Sequence, residues 1–404
     1  MTSTNVAAVE KPHRVESLPG QLDLFDEAKC DFAGSKLSRY EEFVRSKVVL
    51  AEPHGFEPPA DLPCPDWFKP HQRDICEWAI RLGRSAICCA FGLGKTLVAL
   101  QLAKWVHSHT GGRFLICMPL GVRQEFKRDA AMIDMELEYV RNNGDIAKAK
   151  TPYLITNYER VRDGDFNLKQ FDGAVLDEAS SLRSYGTKLC QQFNKKFKVV
   201  PYRWIATATP SPNDYLELIN YSHFLGVMPR SECMTRFFGR DSKEAGALKL
   251  YPHMEGQFWA WVASWAVFLN LPSELGYDDT GYALPPLQTH WHCVDVDYSR
   301  AKDEIDKRSG QRQLLPKISG SVQVVAKERR HTMEDRIRKA LEIVRSEPDQ
   351  HWIIWHYLEA ERHLIKKLLP EAKSIYGTQD LDEREALTIG FAEGEFQYVS
   401  SKPR

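Results

Sequence analysis

The 404-residue sequence has no strong excess of either charge: 54 Lys and Arg stand against 55 Asp and Glu, a formal net charge of −1. That balance argues against a wholly basic nucleic-acid coat or a polybasic membrane protein, and leaves room for a local basic groove. No apolar run approaches the roughly 18–20 residues that span a bilayer. Residues 1–16 lack the apolar centre of a secretory signal. The nine cysteines are odd in number, scattered and without a CxxC pair, so neither a disulfide framework nor a zinc ribbon is indicated. Together these absences point to a reducing cytoplasm. No internal repeat of short fixed period occurs, which argues against a solenoid.

What is present is the composition of a globular protein with ample core, 43% hydrophobic and 27% charged. Residues 1–35, broken by Pro12, Pro19 and Gly20, read as a flexible arm. A second soft stretch, residues 53–65, holds five prolines. From Trp67 onward short apolar runs alternate with helical patterns, the mark of parallel α/β architecture. Strands are expected over 86–90, 114–118, 153–156, 173–176 and 204–208. Between 226 and 284 the aromatics Phe258, Trp259, Trp261, Trp265 and Phe268 crowd together at helical spacing, which predicts a helical insertion. Beyond it the pattern predicts a strand at 290–296, a helix over 333–344, and strands at 352–355, 373–376 and 397–400. The domains expected are an arm over 1–35, a first α/β lobe over 60–225, the insertion over 226–284 and a second lobe over 285–404.

The strongest local signal is Phe91-Gly92-Leu93-Gly94-Lys95-Thr96, directly after a predicted strand and before a helix predicted over 97–107. Glycines let backbone N–H groups converge on phosphate oxygens, and the helix N-terminus adds partial positive charge. Lys95 is placed to reach β/γ-phosphates, and the Thr96 hydroxyl to complete a magnesium shell. The full pattern G-x-x-x-x-G-K-[ST] has Cys89 at its first glycine position. The strand–loop–helix context carries the assignment against the alternative, a glycine turn with a solvated lysine.

Further on, the apolar run Ala174-Val175-Leu176 leads straight into Asp177-Glu178-Ala179-Ser180. A strand ending in two acids puts both at the C-terminal edge of a parallel sheet, where ligands bind in open α/β folds. Asp177 would hold Mg²⁺, and Glu178 would orient and deprotonate the attacking water. Alone, such a pair is most often a helix N-terminal charge effect; coupled to a phosphate loop, the catalytic reading wins.

Lys95-Thr96, Asp177-Glu178-Ala179-Ser180 and Thr207-Ala208-Thr209-Pro210 resemble the first three signature motifs of superfamily-two helicases. Within that group the sequence is most similar to the Swi/Snf-like branch, especially phage-type DEAD/DEAH-box ATPases. Phe68-Lys69-Pro70-His71-Gln72 resembles the family's glutamine motif, whose amide pairs with the adenine edge. Met118-Pro119-Leu120-Gly121-Val122 with Gln124 and Phe126, and Thr156-Asn157-Tyr158-Glu159, resemble segments that meet the nucleic-acid backbone. Asn213, Glu217 and Leu218 fit the branch-specific extension of the third motif. Trp352-Ile353-Ile354-Trp355, Tyr376-Gly377-Thr378, Glu383-Arg384 and Phe391 resemble second-lobe elements, and Ser401-Lys402-Pro403-Arg404 the opening of the fifth motif.

The resemblance implies two RecA-like P-loop lobes with parallel sheets, the second cut short inside its fifth motif and lacking the arginine finger. It implies ATP and Mg²⁺ as cofactors, DNA (or RNA) as partner, and a bacterial or phage-infected cytoplasm. The implied activity is nucleic-acid-stimulated ATP hydrolysis by a helicase or translocase, with Gln72, Gly92, Leu93, Gly94, Lys95 and Thr96 on the nucleotide and Thr207 and Thr209 coupling the lobes. Two alternatives are the motor subunit of a restriction-type system and a nucleotide-gated adaptor that binds DNA without cycling. Gln21-Leu22-Asp23-Leu24-Phe25 matches the short peptide by which bacterial proteins bind the replication sliding clamp, with Gln21, Leu22, Leu24 and Phe25 as anchors. The H-x-H pairs His107/His109 and His290/His292 have no evident third metal ligand, and the clusters around Lys195 and Lys327 read as solvated faces.

Overall fold

The computed structural model describes residues 50–164, 166–211, 215–240, 248–282, 285–295 and 328–403. The chain separates into two compact units, Met1–Leu284 and Pro285–Arg404. The expected arm, the clamp-type peptide at Gln21–Phe25 and Asn213 lie outside the described residues.

In the first unit helix α1 (Pro70–Leu82) begins on a proline, at a position where the missing N–H costs nothing. Strand β1 (Arg84–Cys89) and helix α2 (Lys95–Thr110) follow. Strands and helices then alternate through β2 (Arg113–Met118), α3 (Arg123–Ala131), β3 (Glu138–Tyr139), α4 (Asn143–Lys148), β4 (Tyr153–Asn157), α5 (Tyr158–Asp163), β5 (Phe171–Asp177), α6 (Lys188–Lys196) and β6 (Tyr202–Ala206). The unit continues with α7 (Leu216–Leu225), α8 (Arg230–Phe237), an antiparallel hairpin of β7 (Phe238–Arg240) and β8 (Leu248–Leu250), α9 (Glu255–Ala263) and β9 (Ala266–Leu269).

The main sheet has seven strands in the order β3-β4-β2-β5-β6-β1-β9, and every pairing in it is parallel. Successive side chains of a strand point to opposite faces, and here each face carries its own apolar layer. Ile87, Phe114, Ile116, Val175 and Trp204 pack with Ile75 of α1, Leu102 of α2 and Phe126 of α3. Ala86, Cys88, Leu115, Cys117 and Leu176 pack with Val161 of α5, Phe193 of α6 and Phe224 of α7. Helices on both faces explain why the strands read as continuous apolar runs.

Two expectations are corrected here. Residues 226–284 are not an insertion outside the first lobe. Trp261 and Trp265 are fully buried in the same apolar layer as α5–α7, and β9 pairs with β1 from Ala86↔Ala266 to Cys89↔Leu269. The crowded aromatics mark deep burial, and a four-residue apolar strand after a buried helix has no periodicity of its own to announce it. The proline-rich stretch 53–65 is likewise no soft linker. His54, Gly55 and Phe56 donate their backbone N–H groups to Leu82 O, Arg81 O and Ile80 O at 2.9, 3.1 and 3.2 Å, satisfying the last carbonyls of α1. Phe56 stacks on His109 with centroids 3.9 Å apart, and Trp105 Nε1 donates to Leu62 O at 2.7 Å.

The second unit comprises α10 (Met333–Ser346), β10 (Trp352–Trp355), α11 (Glu359–Leu368), β11 (Lys373–Ile375), α12 (Leu381–Ala392) and β12 (Tyr398–Ser401). Its parallel sheet has the order β10-β12-β11, over a core of Ile337, Leu341, Val344, Ile354, Ile365 and Leu369. The strand expected at 290–296 is absent over 290–295: residues 285–295 are irregular, and Leu287 and Trp291 are 91% and 83% exposed. Alternation alone does not make a strand where no ladder partner is available among the described residues.

Gly173, in β5, lies under a core ring: a Cβ there would sit 2.6 Å from two Phe114 ring carbons and 3.1 Å from Val106 Cγ1. Gly173→Ala is expected to destabilise the first unit by about 1–3 kcal/mol through overpacking, read as a lower midpoint in chemical denaturation of the first unit.

Candidate active site

Strands β5, β6 and β1 are neighbours in the sheet, and their register places Asp177, Ala206 and Ile87 in one transverse row. With strands about 4.8 Å apart, Asp177 lies only two strand spacings from Ile87. Because all three run parallel, the chain leaves this row at one edge three times: into Cys88 and the phosphate loop, into Thr207, and into Glu178.

The loop owes its shape to Gly92 and Gly94, which adopt φ 84° and 81°, in the left-handed region that side chains disfavour. Gly94 is the N-cap of α2, and no side chain caps that 16-residue helix. Its first-turn N–H groups therefore remain available at the loop, with the positive end of the helix dipole behind them. Lys95 Nζ donates to Cys89 O at 2.9 Å and Ala90 O at 3.0 Å and lies 5.3 Å from the Phe91 ring centroid. That ring is 77% exposed. Thr96 is the second residue of α2, beside Lys95.

Gln72 reaches the site as the brace of the loop. Its Nε2 donates to Leu93 O at 3.3 Å and its Oε1 accepts from Lys69 N at 3.0 Å. His71 Nε2 lies 3.4 Å from the same Leu93 carbonyl. The fit is close: a Cβ on Gly94 would lie 2.1 Å from Gln72 Nε2.

On the acidic side, Asp177 is pushed up to about 7, by burial first and the Glu178 charge second, with Lys95 opposing. Glu178 takes a left-handed conformation, φ 51° and ψ 53°. The buried Tyr158 donates its hydroxyl to Asp177 O at 2.7 Å, a contact that nothing local in the sequence announces. Thr207 is buried; its N–H donates to Ile87 O and its Oγ1 accepts from Thr209 N, both at 3.1 Å. Thr209 itself is exposed. Cys89 is an inert packing residue, its thiol raised to about 12 by burial.

The donor set fits a magnesium nucleotide. A desolvated carboxylate held near neutrality gains from a cation. The uncapped helix end, Lys95 and the glycine cradle supply what a polyphosphate needs. The structure thus brings Gln72, Gly92, Leu93, Gly94, Lys95, Thr96, Asp177, Glu178 and Thr207 to one sheet edge.

His107, His109 and the basic cluster around Lys195 make contacts of their own. No group of three metal-ligating side chains occurs among the described residues. His107 Nδ1 bonds Gly112 O at 2.7 Å, while His109 stacks on Phe56. Within the basic cluster around Lys195, Lys196 Nζ caps the end of α5 through Gly164 O at 3.0 Å. No helix among the described residues is long and apolar enough to cross a membrane.

Two outcomes test this geometry. Gly94→Ala meets both the φ of 81° and the Gln72 amide, whereas Gly92 has no atom within 4 Å of its Cβ position. Gly94→Ala should therefore weaken binding of a fluorescent ATP analogue far more than Gly92→Ala, and adding Gln72→Ala should restore part of the loss. For Asp177, whose folded value of about 7 lies above the ordinary carboxylate range, the native state holds the proton more tightly than the unfolded chain. Stability is then lost as pH rises from about 4 to 7. Without Mg²⁺ or nucleotide, the melting temperature of Asp177→Asn should exceed that of the wild type by a margin that grows up to pH 7 and levels off above it.

Comparisons with known proteins bear on the same segment. Residues 71–245 match the SNF2-related domain. A Caenorhabditis elegans protein, the chromodomain-helicase-DNA-binding protein 3 homolog, is 26% identical over 257 residues, which are 52% of this chain and 14% of that protein. The chain therefore spans a small part of that relative's length. Two solved structures from Sulfolobus solfataricus are similar. The SWI2/SNF2 ATPase core in complex with dsDNA has 17% identity and a TM-score of 0.45, with 86% of this chain and 80% of that one covered. The SWI2/SNF2 ATPase core domain has 18% identity and a TM-score of 0.42, covering 92% and 80%. The UvsW helicase from bacteriophage T4 follows at 16% and 0.33, covering 52% and 75%. The segment that matches the SNF2-related domain, residues 71–245, is also the one that carries the phosphate loop and the acidic strand end.

Proposed function

We propose that the chain is an ATP-dependent DNA motor, a helicase or translocase that hydrolyses ATP under nucleic-acid stimulation and couples turnover to motion of two RecA-like lobes. The observation that carries this reading is the row Ile87–Ala206–Asp177, which sets the phosphate loop and the acidic strand end around one space. DNA as the track is supported by the name of the Caenorhabditis elegans relative, a helicase-DNA-binding protein homolog.

In this scheme Gly92, Leu93 and Gly94 shape the cradle, and backbone N–H groups of the first turn of α2 bind the phosphates. Lys95 exchanges its two carbonyl partners for phosphate oxygens, a stronger charge-assisted contact. Asp177 and Thr96 would hold Mg²⁺, which when bound neutralises charge on the β- and γ-phosphoryl oxygens. Glu178 orients the attacking water and takes its proton. Thr207 and Thr209 form the turn through which the state of the site reaches the other lobe. Clamp binding through Gln21, Leu22, Leu24 and Phe25 rests on the sequence alone.

Lys95→Ala should abolish ATP-dependent activity. Glu178→Gln should keep nucleotide binding while lowering turnover by roughly a hundredfold or more. Phosphate release with and without single- and double-stranded DNA checks both. Equal hydrolysis by wild type and Glu178→Gln would sink the assigned base. A displaced-strand assay separates unwinding from translocation, the latter being the property of a restriction-type motor.

A further inference from the structure

The turn after β5 carries a restraint that the hydrolytic scheme does not use. Glu178 and Asp134 are the non-glycine residues with positive φ among those described. A side chain in that region is disfavoured and persists only where its surroundings hold it. Leu176, opposite Cys117, is the last β5 residue matched to β2, so the Asp177 carbonyl lies past the end of that ladder, while the residue remains matched to Ala206 of β6. Tyr158, which opens α5 straight after β4, donates its hydroxyl to this carbonyl at 2.7 Å. The ring cannot swing away: it is 5% exposed and stacks on Phe193 with centroids 5.5 Å apart.

The carbonyl in question belongs to the peptide joining Asp177 to Glu178, and the plane of that peptide sets the φ of Glu178. We propose that Tyr158 is a positioning residue for Glu178. Its phenol pins the 177–178 peptide and so fixes the backbone conformation from which the Glu178 carboxylate serves the phosphate loop. The inference rests on the hydrolase reading, in which Glu178 is the base. It also gives the start of α5 a direct mechanical link to the acidic edge: a displacement of α5 moves the peptide that carries the base.

The test uses the full chain and compares wild type, Tyr158→Phe and Phe197→Leu, which thins the same core one ring further away, where Phe197 stacks on Phe193. Tyr158→Phe should lower kcat about tenfold, the scale of one hydrogen bond. Its KM and its affinity for a fluorescent ATP analogue should stay within about twofold. Amide hydrogen exchange over residues 177–182 should speed up in the same variant. Phe197→Leu should lower the melting temperature and leave kcat and that exchange unchanged, which separates positioning from general core stability.

Tyr158→Phe with wild-type kcat and wild-type exchange over 177–182 would overturn the proposal. A wild-type chain without turnover would fail the hydrolase reading; the exchange comparison then decides, faster exchange supporting the restraint and unchanged exchange overturning it. If Tyr158→Phe does not fold, 3-fluorotyrosine at position 158 keeps the ring and strengthens the donor. Slower exchange over 177–182 then supports the proposal, and unchanged exchange overturns it.

Discussion

The parallel pairing of β6 between β1 and β5 is the constraint from which the site follows. Parallel strands deliver all their C-terminal ends to one edge, so a loop after one strand and a carboxylate after another meet without further design. The register makes the meeting specific, because Ile87, Ala206 and Asp177 share a row. A slip of one residue in either pairing would turn alternate side chains to the wrong face and separate Lys95 from Asp177. The two apolar layers prevent such a slip, since each strand commits alternate residues to different helices.

Within that frame the site is charged, with burial acting chiefly on Asp177 and backbone carbonyls holding Lys95. Lys95 is pinned to the carbonyls of Cys89 and Ala90, and Asp177 keeps its proton close to neutrality because burial outweighs the lysine. Both groups are thus organised before a nucleotide arrives. The cost of burying a carboxylate is carried by the packing around it, which is the usual bargain at functional sites.

Much of this was legible in the amino-acid sequence, for identifiable reasons. The phosphate loop and the Asp177-Glu178 strand end are local signals, written in glycines and in apolar runs that end on acids. The strands expected over 86–90, 114–118, 153–156, 173–176 and 204–208 overlap those observed at 84–89, 113–118, 153–157, 171–177 and 202–206, because burial on both faces leaves short, mainly apolar runs. Features that depend on non-local pairing were invisible. Tyr158 and Asp177 meet only because β4, β2 and β5 lie side by side. The 53–65 stretch looked soft because its prolines signal loops, yet its N–H groups finish a helix that starts later in the chain. The bracing of the loop by the Gln72 amide, through Lys69 N and Leu93 O, was equally out of view. Propensity carries no information about which carbonyl a side chain finds.

Strand β9 has a consequence for how the first unit behaves as a material. It lies outside β1, the strand that feeds the phosphate loop; the Ala86 and Ala90 N–H groups donate to Trp265 O, just before β9, and to Leu269 O at its end. Were the polypeptide to end after β6 and α7, β1 would become the sheet margin, presenting a flat apolar strand with open donors and acceptors to other molecules. β9 therefore acts as a selvedge: it keeps the most ligand-critical strand interior, where self-association cannot reach it.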